Sequence, residues 1–188
     1  MRYKSIIPAA LAAALLAAAA PAPASAAEPE LEIVRVGYNA AGPDTLQNRW
    51  QEYVDLRNVS DDAVNVKGWF VQDRWAHSKY GNKAKASDCN TAIFTKEALP
   101  YLDTDADDDG NEDGLWLPKG HYIRIYTGGA QDLSNNNVHS MAINKPSCGY
   151  NGHFWNNTGD TVYVKRADGS LVTSFSYDFK QGYWVTKG

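Results

Sequence analysis

The chain has 188 residues, 44% of them hydrophobic and 21% charged, and a formal net charge of −4. That length and balance describe one ordinary domain able to bury a core, rather than a disordered chain or a long array. With 18 basic against 22 acidic residues there is no basic footprint of the kind a nucleic-acid binder needs.

The first segment is a leader. Arg2 and Lys4 precede an apolar run from Ile6 to Ala20, broken only by Pro8, and small residues follow from Ala24 to Ala27. Charge, apolar stretch and small-residue site in that order predict a signal peptide over residues 1–27, cut after Ala26 or Ala27. The run is too short and alanine-rich for a membrane span, which needs about 20 apolar residues. Its alanine content is of bacterial type. The expectation is a secreted protein whose domain occupies residues 28–188. Removing Arg2 and Lys4 leaves 18 − 2 = 16 basic against 22 acidic residues, and seven of those acids lie within 103–114.

Alternation of apolar and charged residues over Leu31–Val36 is the period-two pattern of a half-buried strand. Trp50–Val59 reads as a second strand, with Tyr53 alternating with Glu52, Asp55 and Arg57, and Ser60-Asp61-Asp62 as the turn after it. Ala63–Asp73 is a third, with Gly68 marking a bulge or a close backbone approach. Residues 74–119 are polar and aperiodic, apart from a short helix expected at about 94–101 after Thr95 and limited by Pro100. A connection of that length is expected to be functional or to carry structure of its own. His121–Tyr126 alternates cleanly, and residues 130–150 read as loop. Thr161–Val164 and Leu171–Tyr177 form a hairpin about Asp168-Gly169, and Tyr183–Val185 add a short last strand. Six or seven short strands with almost no helix predict an all-β sandwich.

Cys89 and Cys148 make an even count in an exported chain, which reads as a disulfide rather than two free thiols. It would close 148 − 89 = 59 residues, giving about 4 kcal/mol of chain-entropy stabilisation.

Three segments in order resemble the lamin tail domain family. The first is Glu52-Tyr53-Val54-Asp55-Leu56 with Asn58 and Ser60; the second is Val66-Lys67-Gly68-Trp69 up to Asp73. The third runs from Leu117-Pro118-Lys119-Gly120 through Thr127-Gly128 to Trp155-Asn156-Asn157-Thr158-Gly159-Asp160 and Asp168-Gly169. The resemblance covers roughly residues 31–177 and implies an immunoglobulin-like β-sandwich, here with an insertion at about 74–116. It also implies an interaction module, whose partner would be an extracellular or cell-envelope protein or polysaccharide. Trp69 and Trp155 are expected in the core. Asn156, Asn157, Gly159 and Asp160 read as turn formers. Six tryptophans are many for this size, so one or two are expected to face a ligand.

The densest local signal is acidic. From Asp105 the sequence reads D-x-D-x-D-G-x-x-D. Carboxylates at alternate positions can converge on one Ca²⁺, and Gly110 permits the turn. The expected ligands are Asp105, Asp107, Asp109 and Asp113, with the Asn111 carbonyl and Asp103 as an outer ligand. Trp116 stands where an EF-hand would place its bidentate Glu, so the site would be of the weak extracellular kind, on the order of 10⁻⁴ to 10⁻³ M. A solvated acidic loop is the plainer alternative. His77, His121, His139 and His153 share no metal-binding spacing, and no nucleophile elbow or phosphate loop is present. The chain therefore reads as a non-catalytic module. A secreted metal-assisted hydrolase using His139 or His153, or a nuclease-associated protein, is the second reading.

Overall fold

A computed structural model describes residues 28–106, 110–129, 137–178 and 183–186. The expected leader lies outside them. The described chain folds as an immunoglobulin-like β-sandwich of two main sheets. Five strands form the first: β1 (Leu31–Gly37), β2 (Tyr53–Asn58), β7 (Tyr122–Tyr126), β8 (Val138–Ala142) and β11 (Trp184–Thr186), in the order β11-β1-β2-β7-β8. Four form the second: β4 (Phe70–Gln72), β5 (Thr91–Ile93), β9 (Gly159–Lys165) and β10 (Leu171–Asp178), in the order β10-β9-β4-β5. β3 (Val64–Asn65) and β6 (Trp116–Leu117) pair as a separate two-stranded ribbon.

The two inner faces meet in one apolar core. Ile33, Val36, Val54, Leu56, Ile123 and Ile125 come from the first sheet, and Val71, Ala92, Val162 and Val164 from the second. Trp69 and Trp155 are both buried there, as expected. The second sheet's outer face is covered by a seven-residue helix, α1 (Arg74–Tyr80). Lys165 projects beneath it and donates to Gln72 Oε1 at 2.9 Å and the Gly81 carbonyl at 2.6 Å, with His77 Nδ1 at 2.7 Å. These bonds satisfy an ammonium that burial pushes below the ordinary lysine value.

Several elements differ from the sequence reading. The strand expected over residues 63–73 is two strands in different sheets, parted at Gly68, whose φ of +74° turns the chain. Asp73 does not end a strand; its carboxylate accepts from Ala76 N at 2.6 Å and caps α1. The helix expected at 94–101 is a single closed turn, in which Leu99 N donates to the Thr95 carbonyl at 3.0 Å, because Pro100 cannot extend it. Residues 138–142, read as loop, pair in parallel with β7. The long segment from residue 74 is not one excursion, since it supplies α1 and the edge strand β5.

The disulfide joins Cys89 to Cys148 with a Cα–Cα distance of 5.3 Å. Cys89 lies two residues before β5. The bond therefore ties that edge strand to the loop following β8.

Candidate functional site

Two surfaces of the sandwich carry chemistry. The first is the outer face of the five-stranded sheet. Register aligns Trp184, Gly37, Tyr53 and Tyr126 in one row across β11, β1, β2 and β7. The next row holds Arg35, Asp55 and Arg124. Partners in register share a face, so the rings and charges form a continuous outer surface. Period two explains the placement: Tyr53, Asp55 and Arg57 are two apart and point out, while Val54 and Leu56 point in. Tyr53 thus shares a face with the charged residues it was expected to oppose. Gly37 leaves room for it, since a Cβ there would lie 2.6 Å from Tyr53 Cε1.

Arg124 organises this face. Its guanidinium donates to both Asp55 oxygens at 2.6 Å and lies 4.3 Å from the centre of the Tyr53 ring. The bonds to Asp55 hold the guanidinium above its already high ordinary value, so it is permanently charged. Trp50, Tyr183 and Trp184 remain exposed around it and, with Tyr53 and Tyr126, line a cleft of about 290 Å³. A second cleft, lined by Val34, Arg35, Asp55, Tyr122 and Arg124, continues it along the sheet.

The second surface is a groove of about 640 Å³ at the end of the sandwich, where loops meet. Its wall carries Asp44, from the loop after β1, and His153, from the loop that Cys148 anchors. Glu52 lies behind them, just before β2, and is fully buried. Gly149 makes the turn that brings His153 in, since its φ is +59° and a Cβ would sit 2.0 Å from the His153 carbonyl oxygen. Glu52 Oε2 accepts from Phe154 N at 3.1 Å and Thr127 Oγ1 at 3.3 Å, and approaches Trp155 N at 3.5 Å. Burial raises the Glu52 carboxyl against the lowering effect of His153 and the Phe154 N–H. Burial pushes His153 down, but the Glu52 carboxylate, the Thr45 carbonyl and Asp44 outweigh it, and the net shift is upward. Asp44, Glu52 and His153 bring one ligand atom each within 4.8 Å of one another, the one such set among the described residues.

Deeper in the groove Asp160 accepts from Arg74 N at 3.1 Å and Thr161 N at 2.7 Å. Asn156 is the turn former expected, accepting from Thr158 N at 2.9 Å. Asp160 supports that turn by accepting from Asn156 N at 3.3 Å, all four of Asn156, Asn157, Gly159 and Asp160 also line the groove, and Asn157 Nδ2 donates to Asp44 Oδ2 at 3.3 Å.

A comparison with known families bears on this fold. The family model described as Lamin Tail Domain matches residues 24–179. The chain belongs to the lamin tail domain family. No curated protein matches it. The matched span encloses α1 and β5. No helix among its described residues is long and apolar enough to cross a membrane.

The acidic loop leads into β6, and Asp103 pairs with Trp116 in an isolated bridge. Of its six expected ligands, Asp107 and Asp109 lie outside the described residues. Asp103 Oδ1 accepts from Asp105 N at 3.0 Å, and Asp105 Oδ1 accepts from Gly110 N at 3.2 Å, with Gly110 at φ +83°. The Asp113 carbonyl accepts from Lys67 Nζ at 2.7 Å, and Asn111 is exposed. Sequence reasoning missed Asp44 and Glu52 because the three members of their cluster are 8 and 101 residues apart (52 − 44 and 153 − 52).

Proposed function

We propose that this lamin tail domain is a secreted, non-catalytic binding module that holds extended cell-envelope polysaccharide along the outer face of its five-stranded sheet. The observation that carries the reading is the row Trp184–Tyr53–Tyr126 beside the Arg35–Asp55–Arg124 row. Rings with apolar faces stack on sugar rings, and neighbouring charged side chains bond the hydroxyls. The two clefts share Arg124 and follow one another, which suits an elongated ligand. The leader over residues 1–27 and the Cys89–Cys148 bond support an oxidising, extracellular location. In the same reading the acidic loop takes Ca²⁺ weakly through Asp103, Asp105, Asp107, Asp109, Asn111 and Asp113, which relieves the repulsion among its carboxylates.

Co-sedimentation with insoluble peptidoglycan tests the binding reading. The wild type is retained, and Trp184→Ala and Tyr53→Ala each lower the affinity at least tenfold while leaving the fold intact. Retention that is absent, or unchanged in both variants, removes the sheet face as the binding site. Calorimetric titration with Ca²⁺ tests the loop, and absence of heat in the wild type ends that part.

A further inference from the structure

His153 Nε2 lies 2.9 Å from the Thr45 carbonyl oxygen. A carbonyl oxygen only accepts, so Nε2 carries a proton. In the neutral ring the other nitrogen, Nδ1, is then a bare lone pair. It faces Glu52 Oε1 at 2.7 Å and Asp44 Oδ1 at 3.9 Å. Three electron-rich atoms thus point at one another in a place where Glu52 is 0% and His153 4% exposed. Such an arrangement is repulsive unless a proton on Nδ1 or a metal cation lies among them.

The hydrogen bonds around the cluster point the same way. Asp44 Oδ1, Glu52 Oε1 and His153 Nδ1 are all buried without a hydrogen-bond partner. The 2.7 Å approach of Nδ1 to Oε1 is close enough, but it is not aligned as a hydrogen bond. The opposite atom of each side chain, in contrast, is held: Nε2 by the Thr45 carbonyl, Oε2 by Phe154 N and Thr127 Oγ1, and Oδ2 by Asn157 Nδ2. Buried polar atoms without partners are rare, and each asks for a reason. Outer atoms fixed by neighbours while inner atoms stay bare is how a protein orients metal ligands.

We propose that Asp44, Glu52 and His153 form a binding site for a divalent first-row transition-metal ion, with Zn²⁺ as the probe. One imidazole and two carboxylates make a donor set suited to zinc, whereas Ca²⁺ calls for six to eight oxygens. Asn157 Oδ1, also buried without a partner, lies on the same wall, and the groove leaves the ion an open side. Ligands at about 2.0–2.2 Å on a tetrahedral ion stand about 3.3 Å apart. Metal entry therefore spreads Glu52 Oε1 from His153 Nδ1 by about half an ångström, which a side-chain rotation provides. The site is independent of the sheet face and of the acidic loop, and fails or stands without them.

Calorimetric titration of the chelator-treated, disulfide-intact protein with Zn²⁺ tests it. The wild type takes one ion per chain at the cluster. Asp44→Asn and His153→Gln each weaken that binding at least tenfold. Asp44 is on the groove wall and partly exposed, so its variant carries the test if His153→Gln does not fold. His121 and His139, whose ring nitrogens lie 3.3 Å apart, are a histidine pair outside the cluster that a zinc ion would meet, and His139→Ala leaves the cluster's binding unchanged. Asp105→Asn in the acidic loop leaves it unchanged as well. No zinc binding in the wild type, equal binding in Asp44→Asn, or loss of binding in His139→Ala overturns the proposal.

Discussion

The acidic loop and the buried cluster hold the same chemical groups under opposite conditions. The loop concentrates seven acidic residues within 103–114. Among its described acids, Asp103, Glu112 and Asp113 are exposed to water, where a pair of charges at 4 Å interacts by only about 1 kcal/mol and salt screens the rest. Asp103 and Asp105 each spend an oxygen on a backbone N–H of their own loop. The cluster has two carboxylates and one imidazole, drawn from the β1–β2 and β8–β9 connections. Few charges suffice there, because burial removes the water that would otherwise satisfy them. A high local density of acids is therefore a weaker sign of a cation than a few lone pairs that have lost their solvent.

Three experiments sharpen that contrast. The largest effect is expected from Cys89→Ser, which frees the loop carrying His153. Urea unfolding should show a loss of about 4 kcal/mol, from the chain-entropy value for a 59-residue separation, and zinc binding should weaken with it. The acidic loop falls inside the span that the bond closes, but its own bonds run within the loop and to Lys67, so its response to Ca²⁺ should not change. Next comes Glu52→Ala. It leaves the Phe154 N–H and the Thr127 hydroxyl without their acceptor and should destabilise the fold by about 3 kcal/mol. Asp103→Ala, the matching change in the loop, should leave the urea midpoint in place.

Asp73 gives the third and smallest effect, and asks what burial does to a carboxyl that has no metal role. Burial is the main cause of its rise from 3.8 to about 7, opposed by the Ala76 N–H and Asn90 and reinforced by Asp160. In the unfolded chain the group ionises near 3.8, so the folded state holds the proton more tightly between 3.8 and about 7. The stability from this group is complete below 3.8, falls as pH rises to about 7, and is flat above. Asp73→Asn removes the ionisation and keeps an acceptor for Ala76 N. Rotation of the Asn90 amide turns its unpartnered Oδ1 toward the new donor. The variant should be about 2 kcal/mol more stable than wild type at pH 8 and should lose this part of the pH dependence. Unfolding curves at pH 4 and pH 8 measure it.

What could be read in advance follows from the range of the signals. Period-two alternation placed β1, β2 and β7 within a few residues, and Asp168-Gly169 placed the β9–β10 hairpin, because these patterns are local. The helix α1 was hidden because seven residues are too few to show a helical repeat, although Asp73 three residues before Ala76 is its cap. Strand β8, with Val-His-Ser-Met-Ala, has little alternation, and its register comes from β7. The sheet-face residues were visible as residue types, but their shared face follows only from register. The cluster left no local pattern at all. Asp44, Glu52 and His153 meet through a loop turned by Gly149 and anchored by Cys148, and their significance lies in burial and missing partners.

The contrast rests on the bare His153 Nδ1, and the ring nitrogens can be observed directly. Long-range proton–nitrogen correlation spectra of ¹⁵N-labelled protein at neutral pH, before and after one equivalent of Zn²⁺, report both. The account predicts a ring protonated at Nε2 throughout, with an Nδ1 resonance that shifts on zinc addition while the other three histidines stay in place. A His153 ring doubly protonated before zinc and unchanged after it would contradict the account, and would make the cluster an imidazolium–carboxylate pair.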